Sequence, residues 1–233
     1  MRLNVTALLN RVALTVCVST ALLAGCKKEQ EQAATSPPTE TPAAEVATVE
    51  TPAAPASTAA PVAGKAFDIA SIPPSDAALP AWPYVALPSG YVFDHADEVA
   101  ARSKDLARVP AWTGGQLLWV EGRVFTDQVE SAEGKTYSRF EVRKNVQQAV
   151  EALGGVRLSE RSYDEATYTA NEKEIGDFRQ EFDRMQNAYW YDADADTYVI
   201  HRADKAIWIV FQSGNDQGAL MVAEAPLPEA AAN

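Results

Sequence analysis

The sequence predicts an α+β domain, a mostly antiparallel sheet of about six strands with two or three helices packed on one face, after a signal peptide and a disordered linker. Short β-rich runs recur between turn residues in the second half of the chain, and two stripes of apolar residues repeat every three or four positions. The predicted order begins with two strands and ends with three. Such runs of strands are typical of α+β folds rather than of regular β–α alternation.

Six runs carry the strand prediction, because each is rich in apolar residues and most lie next to turn residues. A turn at 133–135 joins the first two runs into a hairpin, and a turn at 202–205 joins the fourth and fifth into another. The fifth run is apolar on both faces from Ala206 to Phe211, which predicts a central strand. The runs span 117–125, 137–142, 156–158, 198–201, 206–212 and 218–224.

Two apolar stripes with helical spacing predict the helices. The first ends at the glycine pair 154–155, and the second begins near Asn171, which with Glu174 three residues later resembles a capping box. A third, weaker helix is predicted over 97–107. The stripes consist of Val142, Val146, Val150 and Leu153, and of Ile175, Phe178, Phe182 and Met185.

The N-terminus has the parts of a bacterial lipoprotein signal peptide. Arg2 and Arg11 precede an uncharged apolar run, 12–23, which is too short to span a bilayer comfortably and leads to small residues before Cys26. The resemblance implies cleavage between Gly25 and Cys26, with lipid added to the Cys26 sulfur and to its new amine. The two lysines that follow imply, by analogy with such proteins, sorting to the outer membrane. The alternative is an ordinary secretory signal with an incidental cysteine.

Composition divides the chain into four segments: a signal peptide (1–25), a lipid-anchored linker (26–66), a globular domain (67–225) and a disordered tail (226–233). The linker consists largely of Ala, Pro, Thr, Glu and Ser, which bury too little apolar surface to offset the entropy lost on folding. Fully extended, it would reach on the order of 100 Å at ~3.1 Å per residue. We expect it to hold the domain away from the membrane.

The charge of the mature chain argues against two classes of partner. Cleavage removes two of the 20 basic residues, which leaves 18 against 32 acidic residues and a net charge of −14. Such a chain is a poor match for nucleic acid or for anionic lipid headgroups, so we expect membrane contact through the acyl chains on Cys26. Because Cys17 is lost with the signal peptide, we predict no disulfide and no thiol chemistry.

Three stretches taken together resemble one family. They are 83–91 (PYVALPSGY), 112–124 (WTGGQLLWVEGRV) and 200–208 (IHRADKAIW). In this order they resemble the N-terminal domain of OmpA-family outer-membrane lipoproteins, over about residues 80–224. The resemblance implies an outer-membrane location and supplies no catalytic residues. Such proteins commonly continue into a peptidoglycan-binding domain, but the sequence after Glu224 shows no segment like it, so the resemblance does not imply peptidoglycan anchoring.

Aromatic and charged residues are the candidate interaction residues. Tyr189, Trp190 and Tyr191 form a cluster outside the predicted elements. If exposed, such rings suit a protein interface or stacking on sugar rings; the alternative is that they are core or loop anchors. Glu121 and Arg123 are two apart on one predicted strand and therefore share a face. They either bind a partner or, as we favour, take part in cross-strand ion pairs.

An acidic run precedes the fourth predicted strand. Asp192, Asp194 and Asp196 alternate, as the ligands of a hard cation such as calcium do. However, Thr197 and Ala203 stand where an EF-hand loop needs Gly and Glu. An open cation site and a solvated acidic loop therefore both remain as interpretations.

The expected function is that of a non-enzymatic outer-membrane lipoprotein whose domain faces the periplasm and contacts an envelope protein or a peptidoglycan-associated partner. His95 and His201 lie in no metal-binding motif, and the chain has no Gly-x-Ser-x-Gly elbow or phosphate-binding glycine loop. We therefore predict no catalytic residue, metal site or cofactor. The alternatives are a module that binds glycan or peptidoglycan fragments and, less favoured, a hydrolase with two convergent carboxylates.

Overall fold

The structure is a computed structural model that describes residues 66–228. The predicted signal peptide, Cys26, residues 26–65 of the predicted linker and residues 229–233 lie outside this range. Within residues 66–228, seven strands form one antiparallel sheet that is accompanied by three α-helices. The predicted α+β class with a mostly antiparallel sheet is therefore confirmed.

The elements follow one another from Ile69 to Pro226. The strands are β1 (Tyr91–Phe93), β2 (Ser103–Trp112), β3 (Leu117–Ser131), β4 (Val156–Ser159), β5 (Ala195–His201), β6 (Lys205–Ser213) and β7 (Gly218–Pro226). The α-helices are α1 (Arg139–Ala152), α2 (Glu165–Ala170) and α3 (Glu172–Glu181). Short 3₁₀ helices span Ile69–Ser71, Ala96–Glu98 and Asp183–Tyr189.

The sheet is assembled around β3, which is 15 residues long. Along one edge β3 pairs with β2 and, at its end, with β1; along the other edge it pairs with β7. Beyond β7 the sheet continues through β6 and β5 to β4. The predicted central strand 206–212 is confirmed, because β6 lies between β5 and β7.

Helices cover both faces of the sheet, whereas the prediction placed them on one. Along β6, Ile207 and Ile209 pack with the apolar stripe of α1, while Trp208 and Val210 pack with α3 and the 3₁₀ helix Asp183–Tyr189. Because successive side chains of a strand point to opposite faces, these two sets lie on opposite sides of the sheet. A strand that is apolar at every position needs cover on both faces, which is the physical reason for the correction.

The predicted strand 137–142 is wrong, because this segment begins α1. The Ser138 hydroxyl caps the helix by accepting a hydrogen bond from the backbone N–H of Glu141, 3.3 Å away. Ser followed three residues later by Glu is a helix-start pattern, and here it outweighs the local β propensity. The apolar stripe that begins at Val142 is confirmed as the buried face of α1.

The third helix predicted over 97–107 is wrong, because most of this segment belongs to β2. The hairpin that β3 forms is therefore with β2, and not with 137–142 as predicted. A single 3₁₀ turn, Ala96–Glu98, forms in its first residues, and the chain then enters β2. Ala107, Val109 and Ala111 are buried on β2 at a period of two, as expected of a strand. Pro110 is tolerated because β2 is an edge strand at this point.

The second predicted helix forms in two pieces. α3 carries Ile175 and Phe178, and the 3₁₀ helix Asp183–Tyr189 carries the last member of the stripe. The capping box predicted at Asn171 is wrong. The Asn171 side chain instead donates a hydrogen bond to the Thr167 carbonyl, 2.9 Å away, and so closes the preceding helix α2.

Candidate functional site

The fold divides the aromatic cluster predicted at residues 189–191. Tyr189 is 3% exposed, and its hydroxyl donates a hydrogen bond to the Pro110 carbonyl at 2.8 Å. Tyr189 therefore anchors the 3₁₀ helix to β2 and offers no contact surface. Trp190 and Tyr191 are 44% and 42% exposed, so these two residues of the cluster are open to a partner.

The two exposed rings belong to a group that we call the aromatic patch, formed by Tyr168, Arg179, Trp190 and Tyr191. The ring centroid of Tyr168, on α2, lies 5.7 Å from that of Trp190 and 5.8 Å from that of Tyr191. The Arg179 guanidinium, on α3, lies 3.7 Å from the Trp190 ring centroid, within cation–π range. Residues from two helices thus pack against the loop that carries Trp190 and Tyr191.

Hydrogen bonds beneath the patch hold its loop in place. The Tyr163 hydroxyl donates to the Tyr189 carbonyl at 2.6 Å, and the Asp192 N–H donates to the Tyr163 carbonyl at 2.9 Å. The Ser162 hydroxyl oxygen accepts from the Ala193 N–H at 2.8 Å. Burial raises the pKa of the Tyr163 hydroxyl well above its ordinary value, so it stays a neutral donor. The loop is therefore ordered within the domain itself.

The three alternating aspartates do not converge on one point. Arg139 hydrogen-bonds to Asp194 at 2.5 Å, and this bond lowers the pKa of the Asp194 carboxyl. Asp196 is 1% exposed and accepts two hydrogen bonds from Arg143, at 2.6 and 2.8 Å. Asp192 is exposed. Because two of the carboxylates pair with arginines of α1, neither an open cation site nor a fully solvated loop describes this run.

Glu121 and Arg123 have separate partners. Glu121 is the register partner of Arg108 on β2, and the Arg108 Nε atom lies 3.7 Å from the Glu121 Oε1 atom. The Arg123 guanidinium lies 4.3 Å from the ring centroid of Trp82. The favoured cross-strand ion pair is thus present for Glu121, whereas Arg123 packs on an aromatic ring. We find no shared interaction site for the two residues in the part of the chain that the structure describes.

A polar network centred on Asp127 was missed from the sequence. Asp127 is fully buried, and its carboxylate accepts hydrogen bonds from the backbone N–H groups of His95 and Gln128, both at 2.9 Å. The His95 Nδ1 atom lies 3.1 Å from Asp127 Oδ1 and 3.3 Å from Asp94 Oδ2. The Arg102 Nε atom lies 3.7 Å from Asp127 Oδ1. These contacts tie the segment that follows β1 to β3.

Asp94, His95 and Asp127 also bring three candidate metal-ligating atoms within 4.8 Å of one another. Their carboxylates already have cationic partners, because Arg102 lies beside Asp127 and Arg184 Nη1 lies 3.4 Å from Asp94 Oδ2. A metal ion would face both guanidinium groups and would have to displace His95 from Asp127. The donor set therefore fits an internal ion-pair network better than a metal centre.

His201 has a structural role at the end of β5. Its Nδ1 atom lies 2.6 Å from the Ile72 carbonyl oxygen, and its own carbonyl accepts a hydrogen bond from the Ser75 N–H at 2.8 Å. The neighbouring Arg202 guanidinium donates to the Ala77 carbonyl at 2.7 Å. These contacts fasten the segment before β1 to the sheet, so the His201 ring serves as a structural anchor.

No family model matches this chain, and no curated protein or solved structure matches it. Among residues 66–228, no helix is both long enough and apolar enough to cross a membrane. Any functional inference therefore rests on the side-chain geometry described above and on the N-terminal sequence pattern.

Proposed function

We propose that this chain is a lipid-anchored, non-enzymatic protein of the bacterial cell envelope, whose domain binds a partner protein through the aromatic patch. Acyl chains on Cys26 attach it to the outer membrane, and the linker 26–66 lets the domain reach into the periplasm. The charged start, apolar run and small residues before Cys26 support the anchor. The patch supports the partner contact.

The composition and exposure of the patch carry this proposal. Trp, Tyr and Arg are the residue types most enriched among interface hot spots, and the patch contains all three. Trp190 and Tyr191 are 44% and 42% exposed, although Tyr189 directly before them is buried. Because Tyr168 and Arg179 already contact the exposed rings, binding would cost little additional ordering of side chains.

The arrangement favours a protein partner over a sugar. A sugar ring stacks on an open aromatic face, but Arg179 lies over the Trp190 ring at 3.7 Å. The Tyr168 ring also packs against those of Trp190 and Tyr191, at interplanar angles of 34° and 58°. The patch therefore presents ring edges, partial faces and a guanidinium, which match the mixed apolar and polar character of protein interfaces.

Chemical crosslinking in cells tests the proposal. The full-length lipidated protein is compared with a Trp190→Ala/Tyr191→Ala variant and with Phe140→Ala. Phe140 is 76% exposed on α1, so its replacement also removes an exposed ring but leaves the patch intact. We expect a specific protein adduct that is lost in the patch variant and kept in Phe140→Ala, because the first variant removes two candidate hot-spot side chains.

Two results would contradict the proposal. The adduct persists at full yield in the patch variant, or it disappears in Phe140→Ala, which would move the interface to α1. Membrane fractionation tests the anchor separately. We expect Cys26→Ala to shift the protein from the membrane pellet to the soluble periplasmic fraction, and retention in the pellet would count against lipidation at Cys26.

A further inference from the structure

A polar cavity of about 200 Å³ lies at one end of the sheet, between the β6–β7 turn and the 3₁₀ helix Asp183–Tyr189. We propose that it is a binding site for one unit of a small, neutral, polyhydroxylated ligand, such as a single sugar ring. The proposal does not depend on the aromatic patch, because no residue of the patch lines the cavity.

The sheet builds the floor of the cavity. Gln128 on β3 and Gln212 on β6 are both register partners of Ala219 on β7, so the three residues form one row across the sheet. In the next row, Met221 and Val210 are buried in the core. The row with Met221 and Val210 is thus apolar, whereas the row at the cavity carries two carboxamides. The small Ala219 side chain leaves space between them.

The 3₁₀ helix and the turn supply the walls. Arg184 and Asn187 project from the helix, and Asn215 and Gln217 come from the turn that joins β6 to β7. The Arg184 guanidinium donates a hydrogen bond to Gln128 Oε1 at 2.5 Å, which fixes one side of the cavity. Neutral dipoles therefore make up most of the polar lining.

The charges around the cavity disfavour an anionic ligand. The guanidinium of Arg184 is already paired with Asp94, whose Oδ2 atom lies 3.4 Å from Arg184 Nη1. A further carboxylate, Asp216, lies at the cavity in the same turn. An added anion would meet the Asp216 carboxylate and a guanidinium that Asp94 already neutralises from outside the cavity, whereas a neutral ligand avoids this repulsion.

The lining chemistry and the size both match a sugar unit. A carboxamide offers two donors and an acceptor, and a hydroxyl group both donates and accepts, so a ring of hydroxyls can pair with several carboxamides at once. Pockets for drug-sized ligands start at about 300 Å³, so this site suits one ring rather than an oligosaccharide bound along its length.

Ligand-observed saturation-transfer NMR on the mature lipidated protein in detergent tests the proposal. The probes are N-acetylglucosamine and glucose, with acetate as an anionic comparison. We expect a signal from at least one sugar and none from acetate. Gln212→Leu, which keeps a side chain of similar size but removes its hydrogen bonds, should weaken sugar binding about tenfold, as loss of about 1.4 kcal/mol of hydrogen bonding implies.

Three further variants keep the test interpretable. Asn187→Ala changes an exposed wall residue and should also weaken binding. It keeps the proposal testable if Gln212→Leu proves unstable. Gln147→Leu, a half-buried glutamine on α1, and Trp190→Ala in the patch should leave binding unchanged. The proposal is overturned if neither sugar binds, if binding survives the changes at 212 and 187, or if Trp190→Ala abolishes it.

Discussion

Replacing Asp196 with asparagine removes one charge from an ion pair whose carboxylate is 1% exposed. Asp196 lies on β5 and accepts hydrogen bonds from the Arg143 guanidinium at 2.6 and 2.8 Å, with Arg157 Nη1 3.7 Å away. The ordinary pKa of an arginine side chain lies far above neutral pH, so the Arg143 guanidinium stays charged in the variant even without the hydrogen bonds to Asp196, which raise that pKa further in the native protein. The substitution therefore takes from the Arg143 guanidinium its nearest carboxylate and leaves it only the more distant Glu160, whose Oε2 atom lies 4.0 Å from Arg143 Nη2.

The magnitude follows from the geometry and the burial. Breaking a fully buried ion pair from one side costs about 3–5 kcal/mol, and a hydrogen bond to a charged group is worth about 1.5–3 kcal/mol. The Arg143 side chain is 28% exposed, so hydration of the guanidinium compensates for part of the lost interaction with the carboxylate. Asparagine also keeps one acceptor. We expect the free energy of unfolding to fall by about 2 kcal/mol.

Asp177→Asn is the matched control, because it makes the same chemical change in an exposed pair. Lys173 Nζ lies 2.6 Å from Asp177 Oδ2, as close as Arg143 lies to Asp196. The two side chains are 82% and 64% exposed, however, and water compensates for the lost charge. We expect no resolvable change in stability for this variant.

Urea unfolding near pH 7 measures both changes as shifts in the midpoint at an unchanged m-value. The expected result is a clear drop for Asp196→Asn beside an unchanged midpoint for Asp177→Asn. Equal midpoints for the two variants would contradict this prediction. Because the two pairs have the same length, that result would mean that burial does not strengthen the Asp196 pair.

Three other predictions concern stability. Tyr189→Phe removes the donor to a buried β2 carbonyl and should cost about 1 kcal/mol in urea unfolding, and an unchanged midpoint would argue against that hydrogen bond. Gly122→Ala would place a Cβ atom 2.0 Å from the Glu224 carbonyl oxygen, so we expect a loss of about 1–3 kcal/mol by thermal unfolding. Gly115→Ala has open space and should be much milder; equal losses would contradict the close approach of β3 and β7. The Asp194 carboxyl has a lowered pKa in the folded state, so its stabilising effect is present above its unfolded pKa of about 3.9 and is lost as pH falls through the folded value. The stability difference between wild type and Asp194→Asn should therefore shrink on acidification below about pH 4, and a constant difference would contradict this.

Periodicity was a good guide where burial is decided locally. The stripe that begins at Val142 and the continuous apolar run of β6 predicted α1 and a central strand, since each pattern is set by the element's own geometry. The apolar run of β6 also indicated a strand buried on both faces. This is incompatible with the prediction that all helices pack on one face of the sheet. β2 was missed because its alternation begins only at Ala107, after a charged stretch that also fits a helix.

Long-range pairing could not be predicted from the sequence. Asp127 lies between apolar residues of β3, which is a signal for a buried carboxylate, but its partners lie in the segment after β1 and are adjacent only in the folded sheet. The aromatic patch also combines residues that are distant in sequence. Trp190 and Tyr191 were found as neighbours in sequence, whereas Tyr168 and Arg179 join them from two separate helices.

Site-specific photocrosslinking in cells is the sharpest test of partner binding through the aromatic patch. A photoreactive residue replaces Tyr191 in the full-length protein, with Lys173, 82% exposed on α3, as the control position and Cys26→Ala as the unlipidated form. We expect one dominant protein adduct from position 191 that requires Cys26 and is absent from position 173. No adduct at 191, the same adduct from both positions, or an adduct that forms equally without Cys26 would contradict a lipid-anchored protein that binds its partner through the aromatic patch.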